Sequence, residues 1–258
     1  MLGIVAFALS VPFTVFAIRS HPEDVGLRAY GEALESPAAA GDAVRELPGV
    51  PAKRAFRSWY FYALVFAGCM ANVGGVFPQH FTTFYQKPYV AIDRSTLEAV
   101  AALMVMSGTL EAFTMVGMAG GKVLIGALES KSVQLALVVG CVGGFLGLSC
   151  IWAGGEAVCL PVLFGGGLLY GLIYPFVTTL LPYVTRLVFG SRDYDQIYSV
   201  VLIPVNLVGA FAASGLALLY QHVGWDAFFV AGLASIVVIF AGFTVAYRAG
   251  RRVYLERL

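Results

Sequence analysis

The chain has 258 residues, of which 59% are hydrophobic and only 12% charged, and its formal net charge is +1. Soluble domains carry roughly 25% charged residues, so this composition excludes a domain that faces water on all sides. With so little excess positive charge, no nucleic-acid partner is expected.

Apolar runs of about 20 residues recur along the chain, each long enough to cross a hydrocarbon core of about 30 Å. The predicted fold is all-α, a polytopic membrane helical bundle. Its seven transmembrane helices are expected at residues 1–18, 57–86, 96–121, 133–153, 157–187, 196–221 and 226–248. These runs are too long and too continuously apolar for barrel strands, and helices satisfy every backbone group within lipid. The 30 glycines exceed the usual share of about 7%, which suits helices that approach closely without a water-driven force.

The first run, "MLGIVAFALS" onward, lacks a basic n-region and continues to Ile18 without a cleavage site. It reads as a lone helix, not a signal peptide. The connection 19–56 is rich in Ala, Pro, Gly and both signs of charge, which predicts a largely flexible cytoplasmic tether. After it come a six-helix bundle over 57–248 and a cytoplasmic tail over 249–258. Fourteen of the Lys and Arg residues fall on one side of this arrangement, and only Lys87 and Arg94 on the other. The basic side is cytoplasmic, so the carboxyl terminus lies inside and, with an odd number of spans, the amino terminus of this chain outside. A cell membrane is the expected location.

Polar groups gather in four of the spans. In 57–86, Asn72, Gln79 and Thr83 recur at helical spacing, and Gly74, Gly75 and Pro78 between them predict a hinge. His80 falls near the outer mouth and is expected to snorkel there, with Trp59, Tyr60 and Tyr62 as interfacial anchors at the inner end. In 96–121, Glu111 precedes Lys122 by 11 residues, about 16 Å of helix. With Lys122 assigned to the cytoplasmic interface, Glu111 lies near the bilayer centre. Its helical face holds Met104, Ser107, Gly108, Thr114, Met115 and Met118, with Leu110 and Phe113 pointing away. A charge at that depth costs at least about 2.5–3.5 kcal/mol. Glu111 is therefore read as lining a substrate or proton pathway, against the plainer reading of a structural acid bonded to a neighbouring helix.

Span 157–187 carries a stripe of Tyr170, Tyr174 and Thr178 with a hinge at Pro175. Its hydroxyls suit either a solute carboxylate or interhelical packing. In 196–221, Asn206 beside Pro204 is either a ligand or interhelical glue. Spans 133–153 and 226–248 have no ionisable side chain in their cores except Tyr247. The four cysteines have no metal-ligand spacing, and neither H-E-x-x-H nor G-x-S-x-G occurs. No metal, cofactor or catalytic residue is expected, and the chain does not read as an enzyme.

Three segments carry a family resemblance. "RSHPEDVGLRAYGE", directly after the first span, resembles the start of the central cytoplasmic loop of the major facilitator superfamily, in its oxalate/formate and monocarboxylate branches. "GGKVLIGALESKS", with Gly126 and Lys131, sits where that superfamily has its glycine-and-charge loop between helices eight and nine. "LVFGSRDYDQIYS" looks like the stretch between helices ten and eleven. The resemblance implies that the chain is the sixth helix plus the carboxyl-terminal six-helix half, a fragment whose partner is the missing amino-terminal half. It also implies inverted three-helix repeats with solute near mid-membrane. The function implied is secondary active transport of a small organic solute, such as a monocarboxylate, by alternating access, in symport or antiport with H+ as coupling ion. In that scheme helices seven, eight, ten and eleven line the cavity, and nine and twelve face lipid. The branch holds carboxylates on basic residues in helices eight and eleven. Leu97–Gly121 and Ile197–Gln221 contain no Lys or Arg, so a cation for the solute is expected from the missing half. The rival reading is a complete seven-helix receptor or sensor. A retinal protein needs a lysine in its last helix, and span 226–248 has none.

Overall fold

The computed structural model describes residues 49–86, 97–157 and 159–255, all within the unit Leu47–Leu258. The expected first span, the segment 19–48, and both basic residues of the outer side lie outside the described residues. Every element is helical: α1 Ala52–Ala55, α2 Trp59–Val76, α3 Pro78–Gln86, α4 Leu97–Glu129, α5 Val133–Glu156, α6 Leu160–Tyr170, α7 Leu181–Phe189, α8 Tyr194–His222 and α9 Trp225–Leu255. A 3-10 turn at Gly171–Ile173 and a π turn at Phe176–Leu180 join α6 to α7. Six stretches of the described residues are long and apolar enough to cross a membrane. The protein is an all-α polytopic membrane bundle.

Local chemistry sets the ends. Ser132 caps α5, its hydroxyl accepting from the Leu135 N–H at 3.4 Å. Pro161 occupies the first turn of α6, where a missing N–H costs nothing. Gly190 closes α7 at φ 80, a conformation that a Cβ would penalise.

Two boundaries differ from the sequence reading. The helix expected to stop at Gly121 runs on to Glu129. Gly121 looks like a loop residue in sequence, at the head of the glycine-and-charge segment, and Gly117 falls in the span before it. Here they sit on the buried side of α4, where a Cβ on Gly117 would overlap the Leu168 carbonyl and one on Gly121 would press on Pro175 and Gly171. Close packing, not chain reversal, is their use. The second difference is the end of the expected tether. Gly49 pairs with Gly190, the Val50 N–H donates to Phe189 O at 2.7 Å, and the Ala52 N–H donates to Asp193 Oδ2 at 2.8 Å. Val50, Ala52 and Ala55 are buried, so apolar side chains seat this stretch on the α7–α8 turn. Tyr60, expected as an anchor, is buried against the Phe189 ring at 5.5 Å, while Trp59 and Tyr62 stay exposed.

The helices pair in a pattern with exchange symmetry. Take α2–α3, α4 and α5 as one triplet, and α6–α7, α8 and α9 as the other. The first member of each packs on the second and third members of the opposite triplet, and the two third members pack on each other. Three crossings per triplet make the second inverted relative to the first. The outer faces of α5 and α9 expose Val142, Phe145, Leu146 and Val237, and α4 and α8 likewise expose Val105, Val116, Ile203 and Phe211.

Both first members are interrupted. A turn at Phe77 separates α2 from α3, and the 3-10 and π turns flank Pro175. The expected hinge positions Gly74, Gly75, Pro78 and Pro175 fall at or beside these breaks.

Candidate functional site

A groove of about 650 Å³ opens between α2–α3, α4 and the α6–α7 junction. Gly75, Pro78 and Gln79 line it from the first wall, Glu111, Met115, Met118 and Lys122 from the second, and Tyr174 from the third. The Tyr174 ring packs beside Gly75, where even a Cβ would stand 3.5 Å from Tyr174 Cδ2, an ordinary contact. The Lys122 ammonium sits 5.2 Å from the centre of the Tyr174 ring, within cation–π range. The buried oxygen Oε2 of Glu111 has no hydrogen-bond partner. Glu111 and Lys122 are three helical turns apart and within roughly 20° of the same face.

The lengthened α4 changes the depth of Lys122. In the helix Leu97–Glu129, Glu111 stays near the middle, and Lys122 comes seven residues before the end. Lys122 is therefore not at the interface but about 10 Å inside that end. The face assignment is corrected too. Ser107, Leu110, Thr114, Gly117 and Gly121 form the buried seam, whereas Met104 and Met115 are exposed. The Ser107 and Thr114 hydroxyls donate to their own helix, at Met104 O (3.0 Å) and Leu110 O (2.9 Å). Phe113 does point away, stacking on Phe164 at 5.3 Å.

Among the expected site residues, the groove brings together Gln79, Glu111 and Tyr174. Others serve the scaffold. Pro78 has no N–H, so the Gly74 carbonyl one turn earlier loses its helical donor; the buried Tyr170 hydroxyl donates to that oxygen at 2.7 Å. Asn72 donates through Nδ2 to Val205 O at 2.7 Å, and Gly209 leaves it room. Both are interhelical bonds. Asn206 is exposed on α8 and lines neither cavity described here.

Thr178 lines a second cavity of about 520 Å³, with Glu129, Arg186, Ser191, Tyr194 and Asp195. Arg186 Nε donates to Ser191 Oγ at 3.3 Å. Glu129 is only 8% exposed and its Oε2 has no partner. In the motif expected as a loop, Gly126 is helical and close to Thr179, and Lys131 is exposed in the turn after α4.

Lys122, read from sequence as an interfacial residue, and Glu129, read as part of the loop motif, are the charged residues that the sequence reading did not place in a site. Their spacing was a signal: 11 and 18 residues after Glu111 are near-integral numbers of turns at 3.6 residues each. His80 also departs from expectation. It is 8% exposed, enclosed by the rings of Tyr220 and Phe228 at 5.5 and 5.8 Å, and its Nε2 has no partner. Aromatic packing with α8 and α9 holds it inside the bundle, away from the groove. No family model, curated protein or solved structure matches this chain, so the groove and its charges carry the functional reading.

Proposed function

We propose that this chain is the carboxyl-terminal half of a secondary active transporter of the major facilitator type, moving a small organic solute by alternating access. The observation that supports it is the convergence of a cation, an acid, an amide and a phenol from three spans on one open groove. Intramembrane ionisable groups mark solute and ion pathways. The groove is walled by the two interrupted helices, the elements that carry binding and gating in transporters built of inverted repeats. Lys122 is the cation that a solute carboxylate needs, so a monocarboxylate does not depend on the other half for its counter-charge. Glu111 takes a coupling proton or a positively charged group of the solute. The uneven distribution of Lys and Arg supports a cell-membrane location with the carboxyl terminus cytoplasmic.

The test is uptake into proteoliposomes. The chain translated together with the sequence in frame upstream of Met1 should accumulate radiolabelled small carboxylates saturably, and the chain alone should insert without accumulating them. Uptake by the chain alone contradicts the half-transporter reading. Uptake by neither contradicts transport.

A further inference from the structure

The groove has two charges of opposite sign, and they do not satisfy each other. Glu111 and Lys122 share one face of α4 about 16 Å apart along its axis, far beyond ion-pair range. Helical side chains lean toward the amino terminus of their helix, so the Lys122 stem carries its ammonium toward the acid and over the Tyr174 ring. The ring face engages the charge but accepts no strong hydrogen bond from its three N–H groups. At the other end, Glu111 Oε2 is buried and without a donor. Between them the wall is Met115 and Met118, whose flexible thioethers suit a methylene chain.

We infer that the solute of this groove is an elongated zwitterion, its carboxylate held at Lys122 and its ammonium at Glu111, with several ångströms of chain between. The inference rests on reading the groove as the solute path. A simple monocarboxylate would answer Lys122 and leave the buried oxygen of Glu111 without a donor. A dicarboxylate would set its second charge against a like charge. An α-amino acid carries both charges within one or two bonds of the same carbon and reaches only one end. An ω-amino acid or a short peptide fits both ends, and the cavity volume lies in the range of small-molecule sites.

The test is binding to the full chain in lipid nanodiscs, which does not require flux. The probes are ω-aminoalkanoates of increasing length, with n-alkanoates and n-alkylamines of matched length. Affinity should peak at an intermediate ω-aminoalkanoate, roughly tenfold above the matched alkanoate, the value of one charge-assisted hydrogen bond. Glu111→Gln should remove that advantage, weakening ω-aminoalkanoates about tenfold more than the matched alkanoates. Lys122→Gln should remove the advantage over alkylamines. Glu111→Asp, which keeps the charge on a shorter stem, should keep the preference and move the optimum to a longer probe. Equal affinity for alkanoates and ω-aminoalkanoates overturns the inference, as does equal weakening of both by Glu111→Gln, or no binding of any probe. Zwitterion preference without uptake by the upstream-extended chain contradicts transport alone. Saturable uptake that favours plain alkanoates contradicts this inference alone.

Discussion

Tyr170 shows how one residue's chemistry decides between site and scaffold. Its hydroxyl meets the carbonyl that Pro78 leaves without a donor, so it is committed to the fold. Tyr170→Phe strips that partner from a buried oxygen and should cost about 1–3 kcal/mol, read as a lowered unfolding midpoint of the purified protein. An unchanged midpoint would mean that the Gly74 carbonyl finds another donor. From sequence, Tyr170 and Tyr174 look alike, four residues apart on one stripe. Only the neighbouring helix separates them: Gly74 lies against the first and the open groove against the second. The stripe was legible, but not which of its members faces a partner. Asn72 and Asn206 divide in the same way, one bonded across to α8 and the other exposed.

The elements depend on glycine seams for their spacing. A Cβ on Gly117 would overlap Leu168, one on Gly171 would overlap Gly117, and one on Gly147 would enter the backbone of Gly166 and Tyr170. Helices so close gain dispersion contacts, which lipid does not supply through a hydrophobic effect. Gly117→Leu should therefore destabilise by at least about 3 kcal/mol and leave little monodisperse protein after extraction. Gly108, on the same helix but facing open space, behaves oppositely. Gly108→Ala should be neutral or stabilising by roughly 0.5–1 kcal/mol. Equal behaviour of the two variants in size-exclusion and thermal assays would contradict the seam. The glycine excess announced close helices, and of the clusters Gly143–Gly144 and Gly165–Gly167 all are used so except Gly165, which meets open space. The same residue type hid the length of α4, because Gly120 and Gly121 before Lys122 also read as the start of a loop. A seam and a turn are alike in sequence and differ only by what lies opposite.

For the whole molecule, the all-α class, the six described spans and the polar bias toward four of them follow from apolar run length and from where ionisable groups fall. The exchange symmetry of pairing was expected only through the family resemblance, since no periodic pattern repeats between the triplets. The seating of residues 49–55 on the α7–α8 turn was not legible, because it rests on backbone hydrogen bonds and a few small apolar side chains. The central claim is that one face of the bundle is a wet solute groove and that the α5–α9 face meets lipid. Cysteine labelling in cell membranes tests it most directly, in a background with the four native cysteines replaced by alanine. A charged, water-soluble thiol reagent should modify Met115→Cys and Met118→Cys rapidly and leave Phe145→Cys and Val237→Cys unmodified. Labelling of Phe145→Cys and Val237→Cys at the rate of Met115→Cys, or no labelling at Met115→Cys, would contradict the account.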